Sequence, residues 1–93
     1  MPGLRLLVLG LVMMTNAGSA MADRATAKKL TDQAVKKHYR NQEWAEAIAG
    51  YRAALVADPS YVTAHYYIAS AASRLGDLAT VRSELSWMSA AKD

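Results

Sequence analysis

The sequence predicts an all-α fold, and three features support it. Apolar residues make up 53% of the 93 residues, and they recur at spacings of three and four more often than of two. No segment alternates as a half-buried strand would. The chain is short enough for one domain and has no cysteine, so packing alone must hold the fold together. The pattern predicts helices near 25–40, 44–57, 61–75 and 77–91.

The first 22 residues have the three parts of a secretory signal peptide. Arg5 precedes an apolar run from Leu6 to Met14, and small, weakly polar residues follow up to Ala22. At ~1.5 Å per residue the run covers about 14 Å, against roughly 30 Å of hydrocarbon in a bilayer. We expect cleavage after Ala22, giving a periplasmic or secreted protein without a stable membrane span. An uncleaved anchor is the alternative.

The segment WAEAIAGYRAALVADP gives the clearest helical pattern. Its apolar face holds Trp44, Ala47, Ile48, Tyr51, Ala54 and Leu55. Rings alternate with small alanines on this face, which favours close packing of one helix on another. Pro59 has no backbone N–H to donate, so the helix must end at Asp58-Pro59.

A comparison of the chain with itself at an offset of thirty-four residues aligns apolar positions with apolar positions. The aligned pairs include Trp44 with Leu78, Ala47 with Val81, Tyr51 with Leu85, and Ala54 with Met88. Each unit is predicted to be two antiparallel helices, with turns at Asn41-Gln42 and at Leu75-Gly76. Asp77 follows the second turn, where its carboxylate can cap the next helix.

These residues resemble the tetratricopeptide repeat, in which an aromatic residue, an Ala-Ile pair, a Tyr, an Ala-Leu pair and a Pro take the positions seen from Trp44 to Pro59. The resemblance covers Lys28 to Asp93. It implies a domain of residues 23–93 that forms a short right-handed α-solenoid, with repeat one at 28–61 and repeat two at 62–93. Gln42 replaces the usual glycine.

Other departures from the family lie at packing positions. Thr31 and His65 stand where the family prefers Trp, and Val81 and Met88 replace small alanines. The resemblance therefore implies a second unit that packs less regularly than the first.

The sequence carries no catalytic constellation. It has no cysteine, no glycine-rich phosphate loop, and only two histidines, His38 and His65. The repeat alignment places both histidines between helices, where a hydrogen-bonded core residue is expected. We therefore expect no enzymatic activity, no cofactor and no metal site.

The resemblance also implies a binding surface, because the first helix of each pair lines the concave side in this family. That face would carry Lys29, Gln33, Lys36, Arg40, Tyr66, Ser70 and Arg74. Cations beside a ring suit an acidic segment or a terminal carboxylate of a partner protein. The carboxylate clamp of the family's chaperone-binding members is not expected, since Asp32 and Tyr67 replace its Lys and Asn.

Positive charge is concentrated between Lys28 and Arg40, where Asp32 is the one acidic residue. Besides an acidic protein or peptide, this segment could hold anionic lipid or polysaccharide, or be an ordinary solvated face. The export signal argues against nucleic acid as a partner.

The last predicted helix carries Leu85, Trp87 and Met88. In stacked repeats such residues are covered by a following helix. We expect at least two of them to mediate self-association, giving a homo-oligomer, or to dock a helix from a partner.

Overall fold

The computed structural model describes residues 23–91, which form four α-helices and one short 3₁₀ helix. In chain order they are α1 (Arg24–Lys37), the 3₁₀ helix (Tyr39–Asn41), α2 (Trp44–Ala57), α3 (Val62–Leu75) and α4 (Leu78–Ala91). No residue from 23 to 91 lies in a strand, so the prediction of an all-α fold with four main helices is confirmed. The predicted signal peptide, residues 1–22, lies outside the described residues.

The first helix ends earlier than the predicted residue 40. After Lys37 the backbone changes from α-helical to 3₁₀ hydrogen bonding. The N–H of Asn41 donates to the carbonyl of His38 at 3.0 Å, and the N–H of Gln42 donates to the carbonyl of Tyr39 at 3.1 Å. Gln42 then takes the left-handed conformation, with φ of 62°. This conformation costs a residue with a Cβ about 1–2 kcal/mol. The turn is thus where it was predicted, but a strained glutamine closes it.

The second turn uses the residues that the sequence predicted. Gly76 has φ of 74°, and its N–H reaches back to the carbonyls of Ala72 and Ser73. Asp77 caps α4, because its carboxylate accepts from the backbone N–H (3.2 Å) and the hydroxyl (2.6 Å) of Thr80. These bonds from Thr80 lower the pKa of Asp77.

Asp58 lies at the predicted seam between the two helix pairs. Its Oδ1 accepts from the N–H (3.1 Å) and the hydroxyl (2.8 Å) of Ser60, and Arg24 at the start of α1 donates to its Oδ2 at 3.2 Å. The bonds from Ser60, followed by Arg24, lower the pKa of Asp58. The carboxylate therefore fixes the turn around Pro59 and ties α1 to the end of α2.

Each helix packs against the next along the chain, and α1 also touches α3. The buried apolar cluster consists mainly of alanines, namely Ala27, Ala34, Ala47, Tyr51, Ala54, Ala64 and Ile68. Small side chains let helix axes approach closely, with Tyr51 and Ile68 filling the space between them. The three positions Ala47, Tyr51 and Ala54 of the predicted α2 face are all buried, as expected.

Candidate functional site

Unbalanced positive charge lies on α1 and α3, the first helix of each pair. On α1 the cations are Arg24, Lys28, Lys29, Lys36 and Lys37, against a single acidic residue, Asp32. Arg40 extends this set into the 3₁₀ helix, and α3 has Arg74 and no acidic residue. By contrast α2 has one cation and one anion, and so does α4. α1 and α3 also touch each other, although each packs mainly against α2.

Most of the predicted concave-face residues are solvent-exposed. They are Lys29, Gln33 and Lys36 on α1, Arg40 on the 3₁₀ helix, and Tyr66 and Arg74 on α3. Ser70 is half-buried, since its hydroxyl lies 2.7 Å from that of Tyr39. No hydrogen bond or ion pair within residues 23–91 joins the predicted α1 members to α3. We call the seven predicted residues the cationic groove, after the concave face that the resemblance implies.

Five aromatic rings from α2, the 3₁₀ helix and α3 form a cluster. Tyr67 is at the centre, with its ring centroid 5.2 Å from Tyr39, 5.3 Å from Tyr51 and 5.6 Å from Tyr66. Tyr39 also meets Trp44 edge-on at 5.1 Å. Such pairs contribute ~0.5–1.5 kcal/mol each beyond area burial. The ring of Tyr67 therefore joins Tyr39, Tyr51 and Tyr66 into one aromatic cluster.

Arg74 lies over the Trp44 ring of this cluster. Its guanidinium carbon lies 5.5 Å from the centroid of the Trp44 ring, within the range of a cation–π contact. The side chain nevertheless stays exposed. The guanidinium is already positioned by the Trp44 ring and faces solvent, so a carboxylate can bind it with little further loss of side-chain conformational freedom.

The two histidines behave differently. His65 is 7% exposed, and its ring nitrogens lie 2.6 Å from Oε1 of Glu84 and 2.8 Å from the carbonyl of Pro59. The prediction of a hydrogen-bonded core residue is confirmed for His65. It is wrong for His38, which caps the end of α1 and points to Glu43 at 2.7 Å, because the helix ends before this position can face a neighbour.

The residues predicted for association on the last helix do not share one face. Trp87 stacks on His65 with ring centroids 3.6 Å apart, so it packs towards α3. Leu85 is 54% exposed and Met88 is half-buried. Leu78, which sequence reasoning did not select, is 63% exposed. Leu78 lies seven residues before Leu85 and therefore on the same face of α4, and this spacing is the sequence signal that could have identified it.

Tyr39 and Tyr67 were also missed as parts of one cluster. They lie in different predicted repeats, and the alignment at thirty-four residues relates equivalent positions rather than contacting ones. Among residues 23–91 no helix is long and apolar enough to cross a bilayer, and no group of three or more His, Asp or Glu side chains is placed to hold a metal ion.

Comparisons of the chain with protein-family models, with curated proteins and with solved structures returned no match.

Proposed function

We propose that the chain is an exported, TPR-like interaction module that binds an acidic peptide or helix of a partner protein in the cationic groove. The segregation of positive charge onto α1 and α3 carries the proposal. The proposal assigns the chain no catalytic step, no cofactor and no metal.

The repeat spacing supports the TPR-like part of the proposal. The two residues in the left-handed conformation, Gln42 and Gly76, are thirty-four positions apart, and so are the first residues of α2 and α4. In a right-handed solenoid of two such pairs the first helices would lie on one side, and α1 and α3 are the helices that carry the unbalanced charge.

An acidic segment suits this surface for electrostatic reasons. Exposed cations attract carboxylates over about 8 Å at physiological salt, and Arg74 and Tyr66 add a guanidinium and an exposed ring for contact. Partner side chains can therefore be fixed by charge and by stacking together.

The test is a binding titration with a fluorescent peptide rich in Glu and Asp, at low salt. Replacing Lys36 and Arg40 by Glu should weaken binding by about tenfold or more, since two attractive contacts become repulsive. The matched control replaces Arg52 and Arg82, exposed cations on α2 and α4, by Glu. This control changes the net charge equally and should keep most of the affinity. Equal losses in the two variants would refute the groove.

The second candidate, a binder of anionic lipid or polysaccharide, rests on four exposed lysines of α1. They are Lys28, Lys29, Lys36 and Lys37. Lys28 is paired with Asp32 at 2.8 Å, which weakens its share. Co-sedimentation with vesicles of phosphatidylcholine plus phosphatidylserine, compared with phosphatidylcholine alone, tests the lipid form. Loss of vesicle binding but not peptide binding in Lys28→Glu/Lys37→Glu, two exposed positions outside the cationic groove, would separate the two candidates.

The exported location rests on the N-terminal segment of the sequence. Mass spectrometry of the protein purified from a bacterial host should find a chain that begins at Asp23. An intact N-terminus after passage through the export pathway would favour the retained anchor.

A further inference from the structure

The ring of His65 lies buried at the contact between α3 and α4, between two hydrogen-bond acceptors. Its Nδ1 is 2.6 Å from Oε1 of Glu84 on α4, and its Nε2 is 2.8 Å from the carbonyl oxygen of Pro59. The indole of Trp87, also on α4, stacks on the face of the same ring with centroids 3.6 Å apart. The side chains of His65 and Glu84 are 9% and 15% exposed, so water has little access to the pair.

The two acceptors set the number of protons that this cluster needs. A carbonyl oxygen can only accept, so Nε2 must carry a hydrogen. The contact between Nδ1 and the Glu84 carboxylate needs a second hydrogen, and it resides on the ring, because an imidazole holds a proton more firmly than a carboxylate does. A neutral ring with its hydrogen on Nε2 would instead turn a lone pair towards an anionic oxygen. Both bonds therefore form only with the imidazolium form of His65.

The docking of α4 depends strongly on these bonds. No residue from 78 to 91 is buried. Among the described residues, the bond to Glu84 is the one side-chain hydrogen bond between α4 and another helix. Ala69 and Ala72 lie four and seven residues after His65, so the neighbouring positions on this face of α3 offer only methyl groups. A change in the cluster should therefore alter how firmly α4 docks.

We propose that His65, Glu84 and Trp87 form a pH-sensitive latch, which holds α4 on α3 while the ring keeps both protons and loosens when the ring loses one. A histidine in an unfolded chain loses its proton at about pH 6.5. Below that pH the released ring is also charged, so holding the proton costs the docked state nothing. At higher pH the docked state must either keep a proton that the released ring gives up, or set a lone pair against the carboxylate. The docking of α4 should therefore be firmest in weak acid and weaken as the pH rises.

The proton count of the latch is set within the latch itself. Among the described residues, Glu84 is the one charged group within hydrogen-bonding distance of the ring. Asp58 precedes the accepting carbonyl in the chain, but its carboxylate is bonded to Arg24 and to the following turn. The charged residues of the helices around the ring are exposed: Glu46 and Arg52 on α2, Arg74 on α3, and Arg82 on α4.

This inference goes beyond the proposed function and uses no residue of the cationic groove. The test is hydrogen exchange of the backbone amides in the protein, expressed from the full sequence and purified as the host processes it. Protection factors, which are corrected for the faster intrinsic exchange at high pH, are compared between α4 and α2. From about pH 6 to about pH 8.5 the protection of α4 should fall by about tenfold or more relative to α2, since a charge-assisted bond is lost.

Glu84→Gln separates the charge of the latch from its hydrogen bonds. A glutamine amide can donate to Nδ1 of a neutral ring, while Nε2–H still donates to the Pro59 carbonyl. This variant should keep α4 docked and lose the pH dependence. His38→Gln is the matched control, because His38 is the other histidine of the chain and bonds to Glu43 rather than to α4. The control should keep the pH dependence of the parent.

The ring nitrogens of His65 give an independent measurement in the parent protein. Nitrogen NMR distinguishes an imidazolium, whose two ring nitrogens have similar shifts, from a neutral ring, whose two nitrogens differ widely. His65 should change from the first form to the second over the pH range in which α4 loses protection. Protection of α4 that does not depend on pH overturns the latch, and so does a dependence that survives Glu84→Gln. A ring that loses its proton without any change in α4 overturns the coupling between them.

Discussion

Gly50 lies in the middle of α2, where it faces α1 without a side chain. A Cβ added at this position would stand 2.6 Å from the Cβ of Ala34. Apolar carbons prefer separations of about 3.5–4.0 Å, so the two helices would have to move apart by about 1 Å. Ala34 is 4% exposed and its Cβ is fixed to the backbone, so no side-chain rotation can relieve the contact.

The substitution Gly50→Ala therefore combines two opposing effects. Alanine favours the helix over glycine by about 0.5–1 kcal/mol, whereas overpacking costs about 1–3 kcal/mol. We expect a net loss of about 1 kcal/mol in the free energy of unfolding, which corresponds to a melting temperature lower by about 4–8 °C for a domain of this size. Urea unfolding followed by helical circular dichroism measures the change.

A double-mutant cycle isolates the contact. In an Ala34→Gly background the opposing Cβ is gone, so Gly50→Ala should now stabilise the protein by ~0.5–1 kcal/mol. Ala49→Gly at an exposed position of α2 calibrates the helix propensity alone. If Gly50→Ala stabilises the parent as much as it does the Ala34→Gly background, the close approach of α1 and α2 is refuted.

Three further changes test other features of the fold. Tyr51→Phe removes a buried hydroxyl that has no hydrogen-bond partner among the described residues, and burial also raises the pKa of this phenol. In urea unfolding the variant should be as stable as the parent or more stable by up to ~1 kcal/mol. A loss of stability of ~1 kcal/mol or more would show that the hydroxyl is hydrogen-bonded. Gln42→Gly relieves the left-handed strain and should raise stability by ~0.5–1 kcal/mol, whereas Asn41→Gly in the 3₁₀ helix should give no gain. Asp77 has a lowered folded pKa, so its stabilising effect is present above the unfolded pKa of about 3.9 and is lost as the pH falls through the folded value. Asp77→Asn keeps a capping oxygen but does not titrate, so the melting temperature of this variant should fall less than that of the parent between neutral and acid pH. An equal fall in both proteins would contradict a stabilising role for the ionised Asp77 carboxylate.

The positions of the helices could be predicted because local chemistry determines them. Gly76 supplies the left-handed turn, Asp77 supplies the cap, and Pro59 ends α2, and each does so through its own backbone or side chain. The shortened α1 could not be predicted in the same way. Its end depends on a 3₁₀ turn closed by Gln42, a residue with no intrinsic preference for that conformation.

The contacts between helices were less predictable. The helical pattern identifies an apolar residue, but the tertiary packing decides which neighbour it meets. Leu85, Trp87 and Met88 were candidates for association, with at least two of them expected to face a docking helix, and the pattern could not tell that Trp87 stacks on His65. Leu78 was overlooked and is exposed. Likewise Gly50 was not recognised as a close-approach position, because glycine in a helix has no side chain to show a periodic pattern.

Binding in the cationic groove should depend strongly on salt. The groove relies on exposed lysines and arginines, whose attraction extends about 10 Å at 0.1 M salt and only about 3 Å at 1 M. High salt should thus release an acidic ligand. A ligand held mainly by apolar contacts would behave differently, because screening does not weaken the hydrophobic effect. Affinity for the acidic peptide that is the same at about 0.1 M and about 1 M salt would therefore contradict an electrostatic groove.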